Sequence, residues 1–334
     1  MKAIVTEHHY NDITGAQRVL AEAGIEFVVG RCGNEEDAIA LGRDADAVIN
    51  QHLPVTARML ASWPRCRGVV HFGKGVDNID VPAATRCGIW VANVRDANRD
   101  EVSNHVLALV LGWARGLFAL ERSVRAGEWT YRSAAPRHRL AGQALGIVGF
   151  GDIGRLLAAK AHGLGMAVLA HTRRPDASAN VDFVSLGELL RASDYVSLHV
   201  PLTAETDGLI GAREIGLMKS TAFLINTSRG RVIDQAALVA ALRSGGIAGA
   251  GLDVTEPEPP PPDDPLRTLP NVILTPHAAW YSEESREHVT VEAAREVVRI
   301  LRSGRPASAV NPDVVPRFAT APVSGAASTR GGSA

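Results

Sequence analysis

The chain has 334 residues, 46% of them hydrophobic and 21% charged, with 35 lysines and arginines against 36 aspartates and glutamates. That supplies one or two ordinary cores and excludes a disordered or fibrous chain, and at ~150 residues per domain two domains are expected. The near-zero net charge leaves no electrostatic footprint for nucleic acid or an anionic membrane, so a small molecule is the expected partner.

In chain order, strands are expected at Lys2 to Thr6, Ile25 to Val29, Ala47 to Asn50, Gly68 to Phe72 and Trp90 to Asn93, with helical patterns between most of them. The N-terminal residues run straight into a strand without the apolar core of a signal peptide, and Val106 to Ala114 is far shorter than the ~20 apolar residues of a membrane span. Cytoplasmic residence is therefore expected. Cys32, Cys66 and Cys87 are odd in number and widely spaced, which suggests neither a disulfide framework nor a metal site. From Glu101 to Ala126, Val102, Val106, Leu109, Val110, Trp113, Leu117, Leu120 and Val124 fall at helical spacing, predicting one long apolar helix that joins two domains and offers a surface for dimer packing.

Six further strands are predicted at Ala144 to Gly149, Ala167 to Ala170, Tyr195 to Val200, Ala222 to Asn226, Ala248 to Leu252 and Val272 to Leu274, as in a doubly wound nucleotide fold. A helix over Ser282 to Leu301 follows, with Ser282 as N-cap and Gly304 beyond its end. From about Asp313 the sequence loses periodicity, so residues 313–334 are expected to be a disordered tail. The proline-rich stretch Glu256 to Pro265, lying between two strands, reads as a stiff active-site loop.

Gly149-Phe150-Gly151-Asp152-Ile153-Gly154 follows a predicted strand and opens a helix, which is the context of a dinucleotide-binding turn. Gly149 permits the turn, Gly151 lets backbone approach a pyrophosphate, and Gly154 allows close helix packing. Asp152 and Ile153 stand at the helix start. Pro201 and Thr227, at later strand ends, join the expected nucleotide site. Where the next strand ends, an acid normally meets the adenosine ribose of NAD; here stand Thr172, Arg173 and Arg174, which suit a 2′-phosphate. NADP is therefore expected, with NAD left open through Asp176.

Ligands of open α/β sheets lie beyond the carboxyl ends of strands. The last three strands deliver Arg229, Glu258 and His277 just past those ends. A guanidinium can grip a carboxylate and the adjacent carbonyl, and an imidazole can give a proton to the carbonyl oxygen as hydride arrives, with Glu258 orienting it. The set suits reduction of a 2-oxo acid.

The segments RLAGQALGIVGFGDIG, SDYVSLHVPLTAETDGLIG, MKSTAFLINTSRGRVID, GLDVTEPEP and NVILTPHAAWYSEES, in this order, resemble the D-isomer-specific 2-hydroxyacid dehydrogenases over about 310 residues. The flavour is nearest to C-terminal-binding-protein-like and phosphoglycerate-dehydrogenase-like members. The resemblance implies that Arg229, Glu258 and His277 are catalytic and that Asp253 sits near the nicotinamide carboxamide. It also implies two doubly wound parallel-sheet α/β domains. A Rossmann nucleotide domain would span 96–284, and a smaller flavodoxin-like substrate domain would be split between 1–95 and 285–312. A homodimer built on the long helix is implied too.

Gly73, Lys74 and Gly75, after the strand GVVHF, offer backbone N–H groups to an anion, and the family uses this loop for the substrate carboxylate. Lys74 departs from the small or apolar residue of most members; related phosphite dehydrogenases carry a lysine there, so a substrate of higher charge or phosphite oxidation is an alternative. His277-Ala278-Ala279-Trp280-Tyr281 resembles the C-terminal-binding-protein corepressors, in which an arginine replaces His71; a nucleotide-sensing binding protein is the other alternative. Trp280 and His71 are candidate substrate contacts. No histidine near these strand ends shows metal-ligand spacing.

Overall fold

The computed structural model describes residues 1–318. It divides into two compact α/β units, Met1–Ala97 together with the chain from Glu283, and Asn98–Ser282.

In the first unit, β1 (Lys2–Val5), α1 (Thr14–Glu22), β2 (Glu26–Val29), α2 (Glu35–Gly42), β3 (Ala47–Asn50), α3 (Ala57–Ser62), β4 (Gly68–His71), α4 (Val81–Arg86) and β5 (Trp90–Ala92) alternate strictly. The strands pair in parallel in the order β2-β1-β3-β4-β5, so the winding reverses between β1 and β3. Every residue of β3 and β4 is buried, as expected for strands covered on both faces. Helix starts follow side-chain chemistry: Asn34, Thr56 and Asp80 each accept a hydrogen bond from the backbone N–H three residues on.

The second unit contains α5 (Arg99–Arg115), α6 (Leu117–Arg125), β6 (Ala144–Val148), α7 (Asp152–Gly163), β7 (Ala167–His171), β8 (Asp182–Phe183), α8 (Leu186–Ala192), β9 (Tyr195–Leu198), α9 (Ala212–Ile215), β10 (Phe223–Asn226), α10 (Gln235–Ser244), β11 (Gly249–Leu252) and β12 (Val272–Leu274). Its seven parallel strands lie in the order β12-β11-β10-β9-β6-β7-β8, with the reversal between β6 and β9. Side chains alternate across this sheet. Phe223 and Ile225 join Leu145, Ile147 and the α5 residues Val106, Leu109 and Val110 on one face, while Leu224 joins Val148, Leu189 and Val196 on the other. Trp113 stacks on Phe223 at 4.4 Å, and burying such a ring contributes roughly 1.5–3 kcal/mol. A Cβ on Gly249 would lie 2.5 Å from the Trp113 ring, so the glycine of β11 makes room for the helix. Finally α11 (Glu283–Ser303) returns to the first unit, and its Ile300 lies against Gly68 of β4.

Three expectations need correction. The single helix over Glu101 to Ala126 is two helices bent by 61° at Gly116, whose φ of 63° ends α5 in the left-handed region. The apolar spacing runs through this break and conceals it. Strand β8 joins the six expected, but its two residues carry no apolar run. Asp313–Phe318, placed in a disordered tail, is ordered: Val314 is buried, and the Arg317 guanidinium donates to the carbonyls of Cys87 at 2.8 Å and Trp63 at 3.0 Å. One arginine tied to these carbonyls orders what low hydrophobicity leaves open. The remainder of the expected tail lies outside the described residues.

Among the described residues no single helix is long and apolar enough to cross a membrane. Cys32 and Cys66 are buried and Cys87 is half-buried, all unbridged; burial pushes the Cys66 thiol up to about 12.

Candidate active site

The glycine turn lies at the winding reversal of the second sheet. Gly149 has φ 97°, and a Cβ there would lie 2.5 Å from the carbonyl oxygen of His199, just past β9. A Cβ on Gly154 would lie 2.5 Å from the Gly149 carbonyl, whereas one on Gly151 would meet no atom within 4 Å. The first and third glycines are thus demanded by the protein's own packing, and the second faces open space, which leaves room for a pyrophosphate. No side chain caps α7, so the amides around Asp152, Ile153 and Gly154 have no side-chain cap and carry the positive end of a twelve-residue helix. The buried Thr227 hydroxyl, just past β10, has no hydrogen-bond partner within the protein. These features fit a dinucleotide.

At the end of β7, Arg173 and Arg174 are exposed and the Thr172 hydroxyl accepts from the Arg174 amide at 3.4 Å. Asp176 is occupied locally. Its carboxylate accepts from the Ser178 hydroxyl at 2.6 Å and amide at 3.0 Å, and from Arg155 at 2.6 Å. The Ser178 bonds first, then Arg155, hold it down to about 2. Pro201 is exposed past β9, its carbonyl accepting from the Thr206 hydroxyl at 2.6 Å.

The three candidate catalytic residues leave the neighbouring strands β10, β11 and β12. Arg229 follows β10 in extended backbone, with Nη1 donating to the Ser228 carbonyl at 2.8 Å. Asn226 supports this turn: its Nδ2 donates to the Arg229 carbonyl at 2.8 Å and its Oδ1 accepts from the Ser228 amide at 3.0 Å. A Cβ on Gly230 would lie 2.0 Å from the Thr255 carbonyl oxygen, so backbone packs on backbone where the Arg229 turn meets the start of the Glu258 loop. Within that loop Arg267 donates to the Pro261 carbonyl at 2.9 Å. Glu258 Oε1 and His277 Nδ1 are 2.6 Å apart, with side chains 40% and 34% exposed. The carboxylate fixes the proton on Nδ1 and leaves Nε2 for chemistry.

His277 has φ 51°, a conformation uncommon for residues other than glycine and held only where surroundings impose it. What imposes it is Asp253, expected near a nicotinamide carboxamide. The carboxylate is buried and turned into the His277 loop, Oδ1 accepting from the Thr275 hydroxyl at 2.6 Å and the Ala278 amide at 2.9 Å, and Oδ2 from the Ala279 amide at 2.9 Å. Its carbonyl accepts from the His277 amide at 2.8 Å. Sequence reasoning missed this clamp. The available signal was a carboxylate directly after an all-apolar strand, which must find donors when buried. Trp280 is half-buried and meets Tyr281 edge-on at 5.5 Å.

In the first unit, the loops after β1, β3 and β4 hold the other candidates. His71 is buried with Nε2 2.8 Å from the Gln51 carbonyl. Gly73 has φ 136°, and its carbonyl accepts from the Val94 amide at 2.9 Å. Lys74 is exposed, its carbonyl accepting from Asn93 Nδ2 at 2.6 Å, and Gly75 follows half-buried. At the winding reversal, His9 after β1 stacks on His52 after β3 with centroids 4.7 Å apart.

Residues 107–279 match the model of the D-isomer-specific 2-hydroxyacid dehydrogenase NAD-binding domain. A glyoxylate reductase of Korarchaeum cryptofilum is 42% identical over 281 residues, 82% of this chain and 85% of that one. An NADPH-dependent glyoxylate/hydroxypyruvate reductase of Sinorhizobium meliloti, solved with NADP and malonate, is 30% identical with a TM-score of 0.85, covering 95% of this chain and 99% of that one. A glyoxylate reductase of Paecilomyes thermophila is 28% identical with a TM-score of 0.86, covering 94% and 98%.

Proposed function

Because the chain belongs to the D-isomer-specific 2-hydroxyacid dehydrogenase family, we propose that it reduces 2-oxo acids of the size of glyoxylate and hydroxypyruvate with NADPH, using Arg229, Glu258 and His277. The protein is an oxidoreductase that interconverts a small 2-oxo acid and its 2-hydroxy acid with a nicotinamide cofactor. Reduced nicotinamide supplies the hydride that enters the carbonyl carbon. The Arg229 guanidinium binds the substrate carboxylate and polarises the carbonyl. His277 gives the proton on Nε2 to the carbonyl oxygen, and Glu258 compensates the charge of the protonated ring and keeps its orientation. The observation that carries this reading is the 2.6 Å contact between His277 Nδ1 and Glu258 Oε1 beside the clamp on the His277 backbone.

The second unit takes the nucleotide, and the first unit takes the substrate carboxylate at Gly73, Lys74 and Gly75. Preference for NADPH is supported by Arg173 and Arg174 where an acid normally stands and by the local engagement of Asp176. A homodimer is supported by the apolar surface around α6, where Leu117 is 55%, Trp129 91% and Tyr131 74% exposed. The test is oxidation of NADPH and of NADH with glyoxylate, hydroxypyruvate and larger 2-oxo acids, run beside NADP reduction with phosphite. Turnover of the small oxo acids with a higher kcat/KM for NADPH is expected. Tight nucleotide binding without turnover would replace this reading with that of a nucleotide-sensing binding protein.

A further inference from the structure

The clamp on His277 continues into a helix far from it in the chain. Asp253, its side chain 1% exposed, carries acceptors only, so the Thr275 hydroxyl at 2.6 Å must donate to Oδ1. The Thr275 oxygen then offers only lone pairs to its other neighbour. That neighbour is His105 Nε2 at 3.0 Å, on α5 and 170 residues away in sequence, which must therefore carry its proton on Nε2. His105 Nε2 is also 3.8 Å from Asp253 Oδ1. The bonds run one way, from His105 to Thr275 to Asp253, and the carboxylate also accepts from the Ala278 amide on Oδ1 and the Ala279 amide on Oδ2.

We infer that His105 is a positioning residue for the reaction: through Thr275 it fixes the Asp253 carboxylate and thereby the left-handed backbone of His277. This rests on His277 being the proton donor. His105 acts through Thr275 and Asp253 rather than on the reacting atoms. Without the His105 donor the Thr275 hydroxyl loses the bond that sets its rotamer. The carboxylate loses one ordered donor, and the loop at φ 51° relaxes toward conformations that carry Nε2 away from the carbonyl oxygen.

The test compares His105→Leu, His105→Gln, Thr275→Val and the double variant His105→Leu/Thr275→Val. Gln places its amide nitrogen as many bonds from Cβ as Nε2 of histidine. Expected for His105→Leu is a fall in kcat of about tenfold with KM for the 2-oxo acid within about twofold, together with faster hydrogen exchange at the Ala278 and Ala279 amides. His105→Gln should recover most of the kcat, Thr275→Val should reproduce the loss, and the double variant should be no worse than the worse single one. Wild-type kcat and exchange in His105→Leu, additive losses in the double variant, or a Gln variant as impaired as Leu would each overturn the relay. Thermal melts identify variants that merely unfold. Should the wild-type protein reduce no 2-oxo acid, the assignment of His277 fails, and amide exchange alone then decides the relay.

Discussion

The carboxyl edges of the two sheets spend their polar side chains differently. On the second, side chains meet side chains: Glu258 on His277, and the Thr275 hydroxyl on Asp253. On the first, they close backbone: Glu7 accepts from the amides of Gln51, His52 and Leu53, and Gln51 accepts from the His9 amide. Both edges are pre-ordered, but the second orders a side-chain atom, His277 Nδ1, in addition to backbone, whereas Glu7 and Gln51 on the first order main-chain atoms. Proton transfer needs side-chain order, because the donor atom must sit within hydrogen-bond reach of the group it protonates. On the proposed reading, grip on a carboxylate asks only for a rigid row of amides, so less of the activity rests on the side chains of this edge.

Removing a side chain from the second edge should therefore cost far more than removing one from the first. His277→Ala is expected to lower kcat by about 10²–10⁴-fold with NADPH binding retained, read by NADPH oxidation and nucleotide titration. A variant with undiminished turnover would erase the contrast. Next in size is a stability effect at the same sheet. His199 follows β9, its Nε2 2.9 Å from the Ser197 hydroxyl, and burial pushes its imidazole from the ordinary 6.5 down to about 4. Between these values the unfolded chain binds a proton that the folded one refuses. Stability is thus complete above 6.5, falls as pH drops toward 4, and loses nothing further from this group below that. The loss should be about 1–3 kcal/mol in urea unfolding at pH 7.5 and pH 4.5, and His199→Gln should reduce this dependence. Arg173→Ala with Arg174→Ala should raise KM for NADPH about tenfold and leave KM for NADH nearly unchanged. Lys74→Ala should change kcat/KM for glyoxylate by no more than about threefold, since an exposed cation on a rigid loop contributes little; a loss as large as that of His277→Ala would make the first edge catalytic as well.

Much of this was legible in the chain because the evidence was local. Strands buried on both faces appear as short apolar runs, and caps such as Asp234, which accepts from the Ala237 amide at 3.1 Å, announce helix starts directly. The glycine turn and the residues past β10, β11 and β12 are placed by the same local logic. What escaped depends on partners distant in sequence. The bend at Gly116 reflects a packing contact, since a Cβ there would lie 2.6 Å from the Cβ of Ala134. The part played by Asp253 depends on where the amides of Ala278 and Ala279 come to rest, and no spacing encodes that. Arg317 anchors the segment 313–318 by reaching carbonyls of Trp63 and Cys87, more than two hundred positions away.

The absence of a side chain at Gly230 has a consequence for anyone redesigning this catalyst. With the Thr255 oxygen where a methyl group would have to go, the guanidinium-bearing turn and the proline-rich loop are interlocked pieces rather than exchangeable parts. A graft that replaces either loop alone inherits a steric collision or a gap at the seam. Libraries aimed at new substrates should therefore transplant the pair together and leave that glycine untouched.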